Sequence, residues 1–147
     1  MKTALVLGAG GFIGSHMVDK LMKLNENVIV IDNLDGGFVK NINKHLNSKN
    51  FVFINKDINN LKKNKIFETI DYVFHFAGKG DIVPSIEKPY DYFINNVQST
   101  LKLLTVLNLK KIKKFVYAAS SSCYGISKTP TKENHPINPL YPYALSK

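Results

Sequence analysis

Thr3-Ala4-Leu5-Val6-Leu7-Gly8-Ala9-Gly10-Gly11-Phe12-Ile13-Gly14-Ser15-His16 is the stretch whose reading decides the fold. Ala4 to Leu7 is an apolar run of strand length, and Gly8 breaks it. Phe12, Ile13, Met17, Val18, Leu21 and Met22 then recur at helical spacing, which predicts a helix to about Leu24. A strand feeding a glycine turn at a helix N-terminus is a place where a dinucleotide pyrophosphate can sit. The first amides of the helix have no internal partner there, and the helix dipole is positive. In this reading Gly8 permits the tight turn, Gly11 lets phosphates approach the backbone, and Gly14 lets the helix pack close to the strand.

The glycines at 8, 11 and 14 form GxxGxxG; the GxGxxG form would need glycine at 13, where this chain has Ile13. A glycine triplet alone is equally compatible with a plain glycine loop. The next strand separates the two. Asn27-Val28-Ile29-Val30-Ile31 is β-branched and ends in Asp32, at the chain distance where a carboxylate meets the adenosine ribose hydroxyls. An acid there repels a ribose 2′-phosphate, and no Arg follows to hold one, so NAD is the expected cofactor and not NADP.

At 147 residues the chain is long enough for one α/β domain with a core, spanning 1–147. Its 44% hydrophobic and 21% charged residues are ordinary for a water-soluble globular protein. The single Cys123 excludes an internal disulfide and fits a reducing compartment. The N-terminal apolar run is too short for a signal peptide, and no window approaches a membrane span, so a cytoplasmic protein without a membrane partner is expected. The net charge of +9 raises the question of nucleic acid, yet every basic residue is Lys and none is Arg. Arg supplies most bidentate base and phosphate recognition. The lysines are dispersed, with the densest runs at 62–65 and 110–114 beside expected helix ends, so a solvated basic face is the reading and no nucleic-acid partner is expected. The four histidines and one cysteine show no ligand spacing, so no metal is expected.

Further along, a weakly amphipathic helix is expected over Val39 to Leu46, a strand at Phe51–Asn55 leading to Asp57-Ile58, and a short helix over Leu61 to Thr69. A strand over Asp71–Ala77 is broken by Gly78 and Gly80. Pro89 can open a long helix from about Tyr90 to Leu107, with Phe93, Val97, Leu101, Leu104 and Leu107 on its apolar side. Phe115–Ala119 completes the strands, and Tyr143 to Lys147 looks like a helix just beginning. Strands alternating with helices imply a Rossmann-type, doubly wound parallel sheet with right-handed crossovers. Ligands bind beyond the carboxyl ends of such strands, and Gly8, Asp32, Asp57, Ala77 and Ser120 all fall there.

Tyr143 and Lys147 are four residues apart and share one face of a helix. A free tyrosine titrates near ~10 and is a poor base at neutral pH. A neighbouring ammonium and the positive nicotinamide ring favour the phenolate, and a Ser hydroxyl beyond an adjacent strand can share a hydrogen bond with a reacting alcohol. An isolated YxxxK pair is common by chance; the upstream nucleotide site is what gives it weight.

With that site, the chain resembles the extended short-chain dehydrogenase/reductase family, in its branch of NAD-dependent nucleotide-sugar epimerases and dehydratases. The residues that carry the resemblance are Gly8 through His16, Asp32-Asn33-Leu34, Asp57-Ile58, His75 through Gly78, Ser85 through Pro89, Asn95-Asn96-Val97, Ser120 through Gly125, and Tyr143 to Lys147. The resemblance implies that Gly8, Gly11, Phe12, Ile13 and Gly14 hold the pyrophosphate and that Asp32, with Asn33, holds the adenosine ribose. It implies that Asp57 and Ile58 contact adenine, that Ala77 and Gly78 line the cofactor, and that Asn96 is a neighbouring polar support. Ser120 matches the catalytic Ser or Thr, with Ser122 and Ser85 in the sugar pocket. Tyr143 matches the base, which also touches substrate and cofactor, and Lys147 tunes it while binding the nicotinamide ribose. The implied reaction is oxidation of a UDP-sugar at carbon 4 by hydride transfer to NAD, with return of the hydride to the opposite face.

The family's 4,6-dehydratases carry an Asp-Glu pair directly after the catalytic residue; here those positions are Ser121 and Ser122, which favours epimerase over dehydratase or reductase. Family members are considerably longer, so the expectation is a Rossmann domain incomplete at its C-terminal end, without the substrate-binding part. A helix stopping on its first productive turn is expected to fray and this chain alone to be inactive. A homodimer is expected of a full-length protein. The reading from a different class is a non-catalytic NAD-binding module.

Overall fold

The computed structural model describes residues 1–147, which separate into two compact units. The first comprises Met1–Ala77 and Thr100–Ala118, the second Gly78–Ser99 and Ala119–Lys147.

The first unit is built on a parallel sheet of five strands: β1 (Thr3–Leu7), β2 (Asn27–Asp32), β3 (Phe51–Asn55), β4 (Tyr72–His75) and β5 (Lys114–Tyr117), in the order β3-β2-β1-β4-β5. Leu5 lies opposite Ile29 on one side and Val73 on the other, so β1 is central and β3 and β5 form the edges. Side chains alternate across a strand, and both faces of β1 are apolar because both are covered. Leu5, Leu7, Ile29, Ile31 and Val73 meet Phe67, Ile70, Leu103, Val106 and Leu107 on one face. Val6, Val28 and Val30 meet Val18, Ile42 and Phe51 on the other, with Met17 and Leu21 packed beside them. The helices that cover them are α1 (Phe12–Lys23) on the second face and, from further along the chain, Ser99–Val106 on the first. The Rossmann-type doubly wound architecture expected from the sequence is present.

The helix α1 starts where expected, with Gly11 as its extended N-cap. It ends as Asn25 takes the left-handed conformation (φ 55°) and the Leu24 amide closes on Lys20 and Leu21 carbonyls, with Lys20 and Lys23 in the last turn. Two other expectations are corrected. Residues 39–46 do not form an α-helix but two 3-10 turns, Val39–Asn41 and Asn43–His45. Val and Asn are poor helix formers, and only Ile42 of this stretch is buried in the core, too little to hold a full helix. Likewise the lysine-rich 61–69 segment contributes only a 3-10 helix, Lys65–Thr69, capped by the Asn64 side chain on the Ile66 amide.

The second unit contains α2 (Ile82–Glu87), α3 (Pro89–Tyr92), a π-helical stretch at Phe93–Gln98, a 3-10 turn at Ser121–Tyr124 and the final turn α5 (Pro142–Leu145). In chain order α4 (Ser99–Val106) directly follows the π-helical stretch. The long helix expected over 90–107 is therefore present as three consecutive pieces, with Pro89 at its start. Its apolar side is only partly the one expected: Leu107 is buried and Val97 and Leu104 are half-buried, but Phe93 and Leu101 are 53% and 58% exposed, and Tyr92, Asn96, Ser99, Leu103 and Val106 are buried with Leu107. A π turn takes more residues than an α turn, so the inward face advances along the sequence and polar Asn96 and Ser99 turn inside. The final turn is the beginning of a helix, as expected. Pro142–Leu145 is helical, Ala144 and Ser146 are buried, and the Ser146 amide bonds back to Pro142 and Tyr143 carbonyls. No helix is long and apolar enough to cross a membrane.

Candidate active site

Each of the two units carries one set of the residues singled out in the sequence. In the first unit the strand β1 runs out at Leu7, and Gly8 turns the chain at φ 78°, a conformation that disfavours any side chain. A Cβ at Gly8 would sit 2.6 Å from the Ala77 nitrogen, so the turn and the end of β4 touch backbone to backbone. A Cβ at Gly14 would lie 2.2 Å from the Gly8 carbonyl oxygen; the first turn of α1 packs on the glycine turn with no room for a methyl. These two contacts fix the angle at which α1 leaves the sheet.

The N-terminus of α1 has no side-chain cap and no acidic residue in its first turn. Its leading side chains, Phe12 and Ile13, are 78% and 61% exposed and take no part in the core. An uncapped, uncontested helix start offers backbone donors and a positive dipole end to an anion. Asp32, at the last position of β2, is buried; its Oδ2 accepts from the Gly10 amide at 2.7 Å and its Oδ1 from the Leu34 amide at 2.7 Å. Each carboxylate oxygen keeps a further lone pair for a hydroxyl. Gly10 is thus a member of this cradle that the glycine spacing did not single out.

Asn33 and Asp57 are brought together, the Asn33 Nδ2 donating to Asp57 Oδ2 at 3.4 Å, while Asp57 Oδ1 caps the following 3-10 turn through the Asn59 amide. The Ile58 side chain belongs to the core, as does the partly buried Ala77 beside it. The chemistry of this donor set fits a dinucleotide: the helix-start amides after Gly11 for a diphosphate, and the Asp32 acid with the neighbouring Asn33–Asp57 amide–carboxylate pair for a ribose and its base.

The second unit gathers Gly78, Asn96, Tyr143 and Lys147. Asn96, buried on the π-helical stretch, accepts from the Lys79 amide (2.8 Å) and donates to the Lys79 carbonyl (3.0 Å) and to Ser146 Oγ (2.8 Å). Ser146 Oγ in turn donates to the Tyr143 carbonyl at 2.8 Å. One amide side chain therefore ties the loop after Gly78 to the turn that presents Tyr143 and Lys147. That tie holds a helical turn too short to persist on its own. The Tyr143 ring meets the edge of the Tyr92 ring at 6.3 Å between centroids. Burial pushes the Tyr92 phenol above its usual range, with Asp81 adding to the rise. Burial also pushes the Lys147 ammonium below the ordinary lysine value, and its Nζ lies 3.6 Å from where a Gly78 Cβ would be. Gly78 adopts φ 152°, and a Cβ there would collide with Asn96 Oδ1 at 2.7 Å.

Ser120 is the N-cap of the turn Ser121–Tyr124, its Oγ accepting from the Ser122 amide at 3.2 Å. Ser85 is completely buried and its hydroxyl donates to the carbonyl of Ile82 in its own helix. Ser146 is the residue of this unit that the sequence reading missed. Its spacing from Asn96 carries no periodic signal, and only folding brings the two together.

Comparison with known proteins gives the family of the chain. The model of the NAD dependent epimerase/dehydratase family matches residues 4–147. A UDP-glucose 4-epimerase of Lactobacillus helveticus is 37% identical over 97% of the chain, which covers 43% of that protein. A Methanocaldococcus jannaschii protein whose name, UDP-glucose 4-epimerase, is provisional is 43% identical over 97% of the chain and 47% of its own length. Among solved structures, the UDP-N-acetylglucosamine 4-epimerase from Methanobrevibacter ruminantium M1, in complex with UDP-N-acetylmuramic acid, superposes with a TM-score of 0.90 at 37% identity, over 99% of this chain and 46% of that one. The chain spans about half the length of the relatives it matches. It belongs to the NAD dependent epimerase/dehydratase family.

Proposed function

We propose that the chain serves an NAD-dependent nucleotide-sugar epimerase that inverts carbon 4 of a UDP-sugar, supplying the cofactor cradle and the proton-transfer residues. The observation that carries this reading is the uncapped α1 start, bound through the Gly10 amide to the buried Asp32 carboxylate. It belongs to a chain whose solved relatives include a Bacillus cereus UDP-glucuronic acid 4-epimerase in complex with NAD, 32% identical with a TM-score of 0.87.

NAD, when bound, supplies the acceptor and later the donor of a hydride at the sugar carbon. The chain's own residues do the rest. The amides that follow Gly11 neutralise the diphosphate, and Asp32 takes the ribose hydroxyls while its charge excludes a 2′-phosphate. Asn33 and Asp57 frame the adenine side, and Gly78 and Asn96 border the nicotinamide side. Tyr143 removes the proton from the carbon-4 hydroxyl and Ser120 shares a hydrogen bond with that oxygen, with Ser122 beside it. Lys147, a cation partly removed from water by burial, follows Tyr143 by four residues at the closing helical turn and is the group proposed to bind the nicotinamide ribose. Ser121 and Ser122 stand where elimination of water would need carboxylates, which supports epimerisation over dehydration.

The test is the Tyr143→Phe variant of a protein that carries these residues together with the remainder of the fold. UDP-glucose and UDP-galactose interconversion should fall by about 10²–10⁴-fold, the usual contribution of a positioned acid–base group, while NAD remains bound. Retention of the wild-type rate would remove Tyr143 from the mechanism.

A further inference from the structure

Gly10 sits in the middle of the glycine turn, and both ends of it are held by the segment that follows β2. Its amide donates to Asp32 Oδ2 at 2.7 Å. Its carbonyl oxygen accepts twice, from the Phe38 amide at 2.9 Å and from the Asn41 side-chain amide at 2.6 Å. Between these grips Gly37 lies so close that a Cβ on it would be 2.7 Å from the Gly10 carbonyl carbon. Leu34, which bonds to Asp32 Oδ1, takes a left-handed conformation (φ 62°) that a leucine adopts only when its surroundings impose it. The segment 32–41 is thus a strap closed over the glycine turn, and Asn41 is its far anchor.

A peptide group is planar and trans, so the Gly10 carbonyl and the Gly11 N–H point in opposite directions. Two donors on the carbonyl fix the plane of that peptide and turn its negative end toward the strap. A rotated plane would aim the oxygen at the mouth of the helix start, where an anion is to bind, and the repulsion would oppose binding. Gly10 and Gly11 have no side chain to restrict such a rotation, and at the other end of this peptide the Gly11 amide makes only a long bond of 3.3 Å to the Gly8 carbonyl, so the two donors on the Gly10 carbonyl are its firmer anchor.

We infer that Asn41 is a positioning residue of the dinucleotide site: it orients the Gly10–Gly11 peptide so that the Gly10 carbonyl is held away from the diphosphate and does not oppose the amides that follow Gly11. Gly37 is the second requirement, since any side chain there lifts the strap. The inference rests on the proposal of a dinucleotide ligand and adds residues that contact none of it. Asn41 is not periodic with the core, so the sequence alone treats it as a polar loop residue.

The experiment compares Asn41→Asp and the milder Asn41→Ser with the wild-type chain by calorimetry against ADP and against adenosine, with thermal melts alongside. The aspartate is isosteric and replaces a donor on the Gly10 carbonyl with a negative oxygen. ADP affinity is expected to fall at least about tenfold relative to adenosine affinity, a ratio that general loosening of the fold would leave unchanged. The Gly11 amide nitrogen shift, which reports hydrogen bonding at the preceding carbonyl, should move in both variants without any ligand. An unchanged ADP-to-adenosine ratio in folded Asn41→Ser, with the Gly11 resonance in place, overturns the positioning role alone. A wild-type chain that binds neither ligand overturns the dinucleotide reading itself, and a Gly11 shift seen in that case would leave Asn41 a purely structural anchor.

Discussion

Each of the two units of this chain has its own internal source of order. The sheet unit buries two apolar clusters, one on each face of β1, with Leu5, Leu7, Val6, Ile31 and Val73 fully removed from water. Each such side chain contributes about 1.5–3 kcal/mol by burial. The unit that carries Ser120, Tyr143 and Lys147 has few buried apolar residues, Tyr92 and Ala144 among them, and leaves Val83, Ile86, Phe93, Ile126, Ile137 and Leu145 more than half exposed. Its order depends on polar ties, those of Asn96 above all. The glycine turn and Asp32 rest on core packing, whereas the residues proposed for proton transfer are held here by a few hydrogen bonds that single substitutions can remove.

The largest effect is expected where the core and the cradle meet. Gly14→Ala places a methyl 2.2 Å from the Gly8 carbonyl, so either α1 or the glycine turn must move. A loss of about 3 kcal/mol, the upper end for overpacking, is expected in urea unfolding, together with loss of NAD binding. Binding at the wild-type level would show that the turn tolerates displacement.

Asn96→Ala addresses the other unit. It leaves the amide and carbonyl of Lys79 and the Ser146 hydroxyl without their side-chain partner, a cost of about 1–3 kcal/mol for each buried group left unpaired. Hydrogen exchange should accelerate at 142–147 while the amides of β1 and β2 keep their protection. Equal acceleration in both places would contradict the separation of the two sources of order.

The smallest effects are those of pH: stability rises with pH through both groups, in two separate windows. The Thr3 amide, followed by the Lys113 ammonium 2.9 Å away, lowers the Asp71 carboxyl from 3.8 to about 2. A depressed acid stabilises the fold above its ordinary range, and that contribution is lost as pH falls from about 4 toward 2. Acid titration of the sheet unit should therefore be flatter in Asp71→Asn. Lys147, lowered by burial from 10.5, binds its proton more weakly folded than unfolded. Stability of the second unit should consequently rise with pH between the lowered value and 10.5, and Lys147→Met should abolish the rise.

The strand–turn–helix at the N-terminus and the second strand were legible from the sequence because their signals are local: apolar alternation, a glycine break, an acid at a strand end. The sheet order β3-β2-β1-β4-β5 extends the same logic, since right-handed crossovers leave few alternatives. The second unit was less legible. The helix Ile82–Glu87 lies between glycines and a proline and is too short for a periodic signal. The π-helical stretch shifts which face is buried, so Phe93 and Leu101 look like core residues in the sequence and are not. Ser146 and Asn41 act through bonds to residues 50 and 31 positions away, a separation no spacing rule detects.

The central claim is that the uncapped start of α1, gripped through Gly10 by Asp32, is a cradle for the diphosphate of NAD. Titration calorimetry of the folded 147-residue chain with NAD tests it most directly. The account predicts one site per chain, saturating below millimolar NAD and markedly weaker for NADP because of the Asp32 charge. Absence of any heat at millimolar NAD, from material whose melting curve shows a cooperative fold, would contradict it.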